Sequence, residues 1–284
     1  MRAHDAKTAR FDVVVVGAGL IGAASACLFA RQGLKVALVE ARAIERSVES
    51  EQRVSATNLA AANLLAALEV WPRDAGLLSP YRAMEVWERD GAARISFRAG
   101  DLGLPCLGHI VDNRVLLAAM IAKLRQNYHA TLFDNAEIVA IDSDLADAAA
   151  RDGMRVRVAL PQMKLETRLL VGADGARSRV RELCGMRTDF HDFEQDAIIA
   201  TVSIAGAHRA TAWQCFLDTG PAAMLPLADG RCALVWSCDR ARADELMRLD
   251  EARFAAQLQP LFARHAVTLG DITACCARRR FALS

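Results

Sequence analysis

Apolar residues fall into two patterns along this 284-residue chain. Residues 11–16 and 35–39 are short, mostly valine and leucine runs without alternation, the mark of strands buried on both faces. Between them stand Gly17, Gly19 and Gly22, then an alanine-rich stretch over 23–31 that reads as a helix stopped by Gly33. A strand, a helix and a strand this close together predict a β-α-β unit with a right-handed crossover. An Ala/Leu-rich stretch predicts a helix over 56–68. Leu116, Leu117, Met120, Ile121 and Leu124 predict another over 113–126 by their helical spacing. Alternating positions predict strands over 84–88 and 94–97. Further strands are expected at 131–133, 137–141, 154–160, 167–172, 198–204, 213–217, 222–225 and 232–237. A helical tail over 239–262 follows, and the acidic, alanine-rich segment 142–153 reads as an exposed turn.

This order predicts a mixed α/β (α+β) chain: a Rossmann-like nucleotide-binding domain, discontinuous in sequence, with an inserted antiparallel-sheet domain. The expected boundaries are 1–75 and 107–183 for the first, and 76–106 with 184–284 for the second.

Composition narrows the classes. Hydrophobic residues make up 53% and charged residues 24%, a balance that suits a soluble globular protein and excludes a disordered one. Lys+Arg is 35 against 34 Asp+Glu, a net charge of +1, so a chain whose main work is gripping nucleic acid is disfavoured. None of the eight cysteines forms a C-x-x-C pair and no histidines stand at zinc spacing, which predicts reduced thiols in a cytosolic protein without a metal site. Adjacent Cys275 and Cys276 are candidates for redox reactivity. Residues 13–30 carry no charge, yet their glycine spacing explains them better than a membrane span does.

Three motifs carry candidate chemistry. In Gly17-x-Gly19-x-x-Gly22, the first glycine permits the turn, the second lets the backbone approach a pyrophosphate, and the third lets helix and strand pack closely. Glu40 closes the second strand, where a carboxylate can accept the ribose hydroxyls of an adenosine. In the run 171–181, Asp174 and Gly175 sit at a strand end and Ser178 is a candidate N-cap. That run reads equally as a ribose or pyrophosphate contact and as a turn before a capped helix. Arg53 can pair with phosphate, or simply be a solvated arginine.

Together these motifs resemble the FAD-dependent aromatic hydroxylases of the para-hydroxybenzoate hydroxylase type. Gly108-His109-Ile110-Val111-Asp112-Asn113, Ala212-Trp213-Gln214 and Gly220-Pro221 with Leu225-Pro226-Leu227 are similar to the ubiquinone-biosynthesis branch. The resemblance implies that Gly17, Ala18, Gly19, Gly22 and Glu40 bind the ADP part of FAD. Arg53 would lie near its pyrophosphate, and Asp174 with Gly175 along the ribityl–pyrophosphate stretch. Asn113 stands where many relatives carry an arginine that reaches FAD. Trp213, Pro221, Leu225 and Pro226 would line the substrate side.

The implied reaction is hydroxylation of a polyprenyl phenol or benzoquinol by O₂, through a flavin C4a-hydroperoxide, with NADH or NADPH as the transient reductant. The implied setting is the cytoplasm, at the inner-membrane surface, in a ubiquinone-biosynthesis complex. Relatives continue with a Gly-Asp-Ala-Ala-His block followed by Gly-Gln-Gly-x-Asn-x-Gly, which this sequence lacks. On that ground the resemblance implies a truncated hydroxylase with impaired flavin binding. The alternative is a non-catalytic remnant acting only as a binding or assembly component.

Overall fold

The computed structural model describes residues 7–51, 53–143, 155–274 and 278–283. In chain order the elements open with β1 (Lys7–Val16), α1 (Leu20–Arg31), β2 (Val36–Val39), α2 (Ile44–Ser50), β3 (Val54–Asn58) and α3 (Leu59–Ala67). Next come β4 (Leu78–Tyr81), β5 (Ala83–Glu88), β6 (Arg94–Arg98), β7 (Gly108–Asp112) and α4 (Asn113–Arg125). Then follow β8 (Ala130–Phe133), β9 (Ala140–Ser143), β10 (Val156–Ala159), β11 (Met163–Gly172) and α5 (Arg179–Leu183). The last group is β12 (Gln195–Ile204), β13 (Thr211–Leu217), β14 (Gly220–Pro226), β15 (Cys232–Asp239), α6 (Arg240–Arg248), α7 (Glu251–Leu258), α8 (Ala266–Leu269), β16 (Ile272–Ala274) and β17 (Arg279–Leu283).

Two compact units result. The first comprises Met1–Gln52, Leu64–Trp71 and Asn113–Thr188, the second Arg53–Asn63, Pro72–Asp112 and Asp189–Ser284. These bounds differ from the expected ones at 53–63, 72–75, 107–112 and 184–188. The main cause is a three-stranded sheet. β7 pairs with β3 on one edge and β4 on the other. Its Tyr81 and Ile110, with Val54 and Leu107 beside them, pack on Ala212, Met84 and Leu225 of the second unit.

The first unit is built on a six-stranded sheet in the order β8-β2-β1-β11-β10-β9. The first four strands run parallel, and β10 and β9 run antiparallel. Its central strands are apolar throughout because both faces are covered: every residue of β2 is buried. One face packs Val14, Val16, Val39, Val158, Leu165 and Val180 into a single cluster. α1 buries only small side chains (Gly22, Ala23, Ala26, Cys27 and Ala30), which lets it pack closely on α4. The uncharged stretch 13–30 is thus the end of β1, a glycine loop and α1. Among the described residues no helix is long and apolar enough to cross a membrane.

Several expected elements are redrawn, three of them as follows. The helix expected from 56 starts at Leu59, because Val54–Asn58 is strand and the Asn58 side chain accepts the Ala61 N–H at 2.8 Å, capping α3. The helical tail breaks after Arg248, where Asp250 caps α7. The strand expected from 137 starts at Ala140. The turn expected over 142–153 lies almost wholly outside the described residues, as do Cys275 and Cys276.

The second unit's larger sheet has the order β16-β12-β15-β14-β13-β5-β6, with β17 also on β12. Alternation buries one face, with Trp87, Trp213, Met224, Leu234 and Trp236 against Leu246, Phe254 and Leu258 of α6 and α7. At the β5–β6 edge sits Glu85, a carboxylate only 4% exposed. It accepts hydrogen bonds from Arg94 (2.8 Å), Arg98 (2.9 Å) and Ser96. Burial pushes its pKa up, but the bonds from Ser96 and Arg94 and the charges of Arg94 and Arg98 outweigh this and hold it below the usual carboxylate range.

A depressed native pKa adds stability at neutral pH that is lost as the pH falls through it. The two arginine side chains are 48% and 57% exposed and regain water if Glu85 is lost. Glu85→Ala therefore costs about 2 kcal/mol at pH 7. Urea denaturation should show this gap closing as the carboxylate titrates; a gap independent of pH would refute the assignment.

Candidate functional site

The parallel pairing of β1 with β11 sets Val16 opposite Gly172, so the loops that follow the two strands lie side by side. Ala173 donates its N–H to the Val16 carbonyl at 2.7 Å, and Gly17 donates to the Val39 carbonyl at 2.7 Å. Gly17 has φ +99°, and a Cβ there would lie 2.4 Å from the Ala173 oxygen, so only glycine fits. A Cβ on Gly22 would lie 1.8 Å from the Gly17 oxygen. These two glycines draw α1 onto the loop.

Gly19 differs. It caps α1 with ordinary extended backbone (φ −73°, ψ −177°), and a Cβ there would meet nothing within 4 Å. Among the described residues no side chain caps α1, and no acidic residue stands in its first turn. Unpaired N–H groups and the positive end of the helix dipole thus face open space, which suits an anion.

Glu40, its side chain 12% exposed, flanks this space. One carboxylate oxygen accepts the Ala18 N–H at 2.8 Å and the other the Arg42 N–H at 3.2 Å. Ala18 is buried, and its N–H is committed to Glu40. The carboxylate keeps further lone pairs for hydroxyl donors.

Asp174 is turned toward α5. Its oxygens accept the Ser178 hydroxyl at 2.6 Å and the Val180 N–H at 3.0 Å, while the Ser178 oxygen accepts the Arg181 N–H at 3.1 Å. Gly175, at φ +81° with nothing within 4 Å of a Cβ, leaves the backbone beside it open. A cleft of about 690 Å³ lies along this turn, lined by Ile21, Leu169, Asp174, Gly175 and Met186 among others. It follows the outer edge of β11 past Thr167, where β10 stops pairing. The exposed apolar side chains of this cleft had no signature in the sequence.

Asn113 opens α4 and is 4% exposed, and its Oδ1 has no partner among the described residues. Burying an unpaired acceptor costs about 1–3 kcal/mol, so the position suits a donor from a ligand. Arg53 is exposed and belongs to the second unit.

The four substrate-side candidates divide by strand parity. Trp213 (6% exposed) faces the helix-covered core, where its ring lies 4.4 Å from that of His265. Pro226 is buried opposite Cys232, a residue of the same core. Pro221 and Leu225 take the other face. Trp213 and Pro226 thus lie on the helix-covered face of the sheet. Burial pushes the thiols of Cys27, Cys232 and Cys238 up to about 11, 12 and 11, so they are protonated and poor nucleophiles at neutral pH.

The loop cluster fits the ADP portion of FAD. Gly19 leaves the space a Cβ would fill, the α1 terminus is uncapped, and Glu40 is held beside it.

Comparison with known proteins agrees with this fit. The FAD binding domain family matches residues 10–276. Ubiquinone hydroxylase UbiL of Rhodospirillum rubrum is 32% identical over 258 residues, covering 89% of this chain and 58% of that protein. The 3-demethoxyubiquinol 3-hydroxylase of Escherichia coli is 32% identical over 269 residues, covering 92% and 65%. This chain therefore spans about three fifths of the length of such relatives. Among solved structures, Pseudomonas aeruginosa PqsL in complex with 2-aminobenzoylacetate superposes with a TM-score of 0.73. It is 21% identical, with 94% of this chain and 73–74% of PqsL structures covered, and it shows the shared fold.

Proposed function

This chain belongs to the FAD binding domain family, and from that premise we propose that it serves FAD-dependent hydroxylation of an aromatic ring in ubiquinone biosynthesis. The observation that carries the reading is the open, uncapped α1 terminus at Gly19 with Glu40 held beside it. In this reading the first-turn N–H groups of α1 take the pyrophosphate, and Glu40 accepts the ribose hydroxyls. Asn113 Oδ1 accepts a donor from the same cofactor, and Gly175 keeps the backbone clear along it. Arg53 pairs with a phosphate oxygen.

Reduced by NADH or NADPH, bound FAD supplies the oxygen-activating chemistry. The chain's own residues bind, orient and keep water away. Pro221 and Leu225, on the face of the large sheet away from its helices, offer an apolar surface to the ring. The substrate class, a polyprenyl phenol or quinol, follows the chemistry named for the relatives. Such a substrate brings the chain to a membrane surface.

The test is product formation. The chain with FAD, NADH or NADPH and a 2-alkyl-6-methoxyphenol is incubated under ¹⁸O₂. One labelled oxygen in the ring product is expected. Bound FAD with coenzyme oxidation that yields only hydrogen peroxide would sink the hydroxylase reading.

A further inference from the structure

On the face of the large sheet away from α6 and α7, Gln214 is a polar side chain in an otherwise apolar row. Gln214 on β13 pairs with Val86 on β5 and with Ala223 on β14, and Ala223 pairs with Val235 on β15. Directly paired residues share a face, so Gln214 stands in a row of apolar side chains. Its neighbours on the same face of β13 are Ala212 and Phe216, the latter 45% exposed. Gln214 is itself half-buried. Among the described residues nothing hydrogen-bonds its amide, which offers two donors and one acceptor. A ligand lying on this face would take the water from that amide, which is costly unless the ligand pairs with it.

The row continues outward. Val86 pairs with Ile95, and Met84 with Phe97, on edge strand β6. Ile95 is 57% exposed and Phe97 51%. Arg94 and Arg98 project from the opposite face of β6, where both are committed to Glu85. An uncharged, apolar track therefore runs from Gln214 over two strand spacings, about 10 Å, to the edge of the sheet. One polar group at the head of an apolar track matches an alkylated phenol: a ring bearing a hydroxyl, with a hydrocarbon tail.

We propose that Gln214 holds the ring hydroxyl of such a substrate, and that Val86, Ile95 and Phe97 guide its tail out over β6. The proposal rests on the hydroxylase reading above and adds the residues that set head and tail specificity. Gln214 orients the ring by a hydrogen bond, and the β6 residues discriminate tail from no tail.

The experiment uses the full chain with FAD and two probes, 2-methoxyphenol and 2-geranyl-6-methoxyphenol, with binding followed by calorimetry. The geranyl compound should bind more than about tenfold tighter, since its tail adds several buried carbons. Gln214→Leu should weaken both probes about tenfold, the loss of one hydrogen bond. Phe97→Asp should weaken only the geranyl probe. Both positions are partly exposed, and thermal melting confirms that each variant folds; Ile95→Asp serves as a second tail variant.

Equal affinity for the two probes would overturn the proposal, as would a Gln214→Leu variant that binds them like the parent. Flavin fluorescence in the same samples separates the two levels of the account. A folded chain that does not hold FAD sinks the hydroxylase reading and this subsite with it. Retained FAD with phenol binding indifferent to residues 214 and 97 sinks the subsite alone.

Discussion

Gly19→Asp leaves the fold intact and lowers FAD affinity by about two orders of magnitude. The space around Gly19 explains both halves of this result. A Cβ there meets nothing within 4 Å, and the backbone already has φ −73°, which any residue adopts. Aspartate is also a good N-cap, so α1 is left as stable as before or slightly more so. The same carboxylate takes the N–H groups meant for the pyrophosphate and sets a negative charge against it. At a few ångströms and a surface dielectric, that repulsion is worth about 2–4 kcal/mol. Flavin fluorescence titration and thermal melting check the two halves separately. Gly19→Ala, which adds bulk without charge, should fall between the parent and Gly19→Asp. A Gly19→Asp chain that binds FAD as the parent does would remove α1 from the cofactor site.

Gly22→Val has the opposite character: it unfolds the first unit before any ligand is involved. A Cβ at residue 22 would lie 1.8 Å from the Gly17 oxygen and 3.3 Å from the Ala173 side chain. The Gly17 carbonyl is backbone, fixed by the end of β1, and cannot swing aside as a flexible side chain would. The loop and α1 must separate, and with them the packing of α1 on α4. We expect a loss above about 4 kcal/mol, a large part of the roughly 5–15 kcal/mol that holds a domain together. Urea denaturation followed by far-ultraviolet circular dichroism measures it. A loss below about 1 kcal/mol would show that the loop yields, and that Gly22 is not what seats α1. Together the two variants separate a glycine needed for binding from one needed for folding, three residues apart on one motif.

Much of the first unit was legible in the sequence. Unbroken apolar runs belong to strands covered on both faces, and the β1-loop-α1-β2 unit is local enough for its spacing to reveal it. β3 was not legible in the same way. Val54 and Thr57 are β-branched and Asn58 is a helix cap, but the Ala/Leu stretch that follows dominates the local pattern. What makes Val54–Asn58 a strand is its pairing with β7, some fifty positions along the chain. The same pairing decided the unit boundaries.

At the candidate site, Gly17 and Gly22 were legible because their chemistry is steric and local. The hydrogen bonds of Asp174 were not, since a ribose contact and a helix cap use the same residue types; its oxygens accept from Ser178 and Val180. The parity of β13 and β14 was also hidden. Alternation shows that Trp213 and Gln214 face opposite ways, but only the position of α6 and α7 shows which face is the core. That face claimed Trp213 and Pro226 and left Gln214, Pro221 and Leu225 on the other.

The central claim is that the 17–22 loop and Glu40 recognise the adenosine diphosphate half of a flavin dinucleotide. The most direct measurement is a pair of equilibrium titrations of the purified chain, one with FAD and one with FMN, which lacks the adenosine half. The account predicts one-to-one FAD binding, with FMN weaker by about a hundredfold or more. Equal affinity for FAD and FMN, or a folded chain that binds neither, would contradict it.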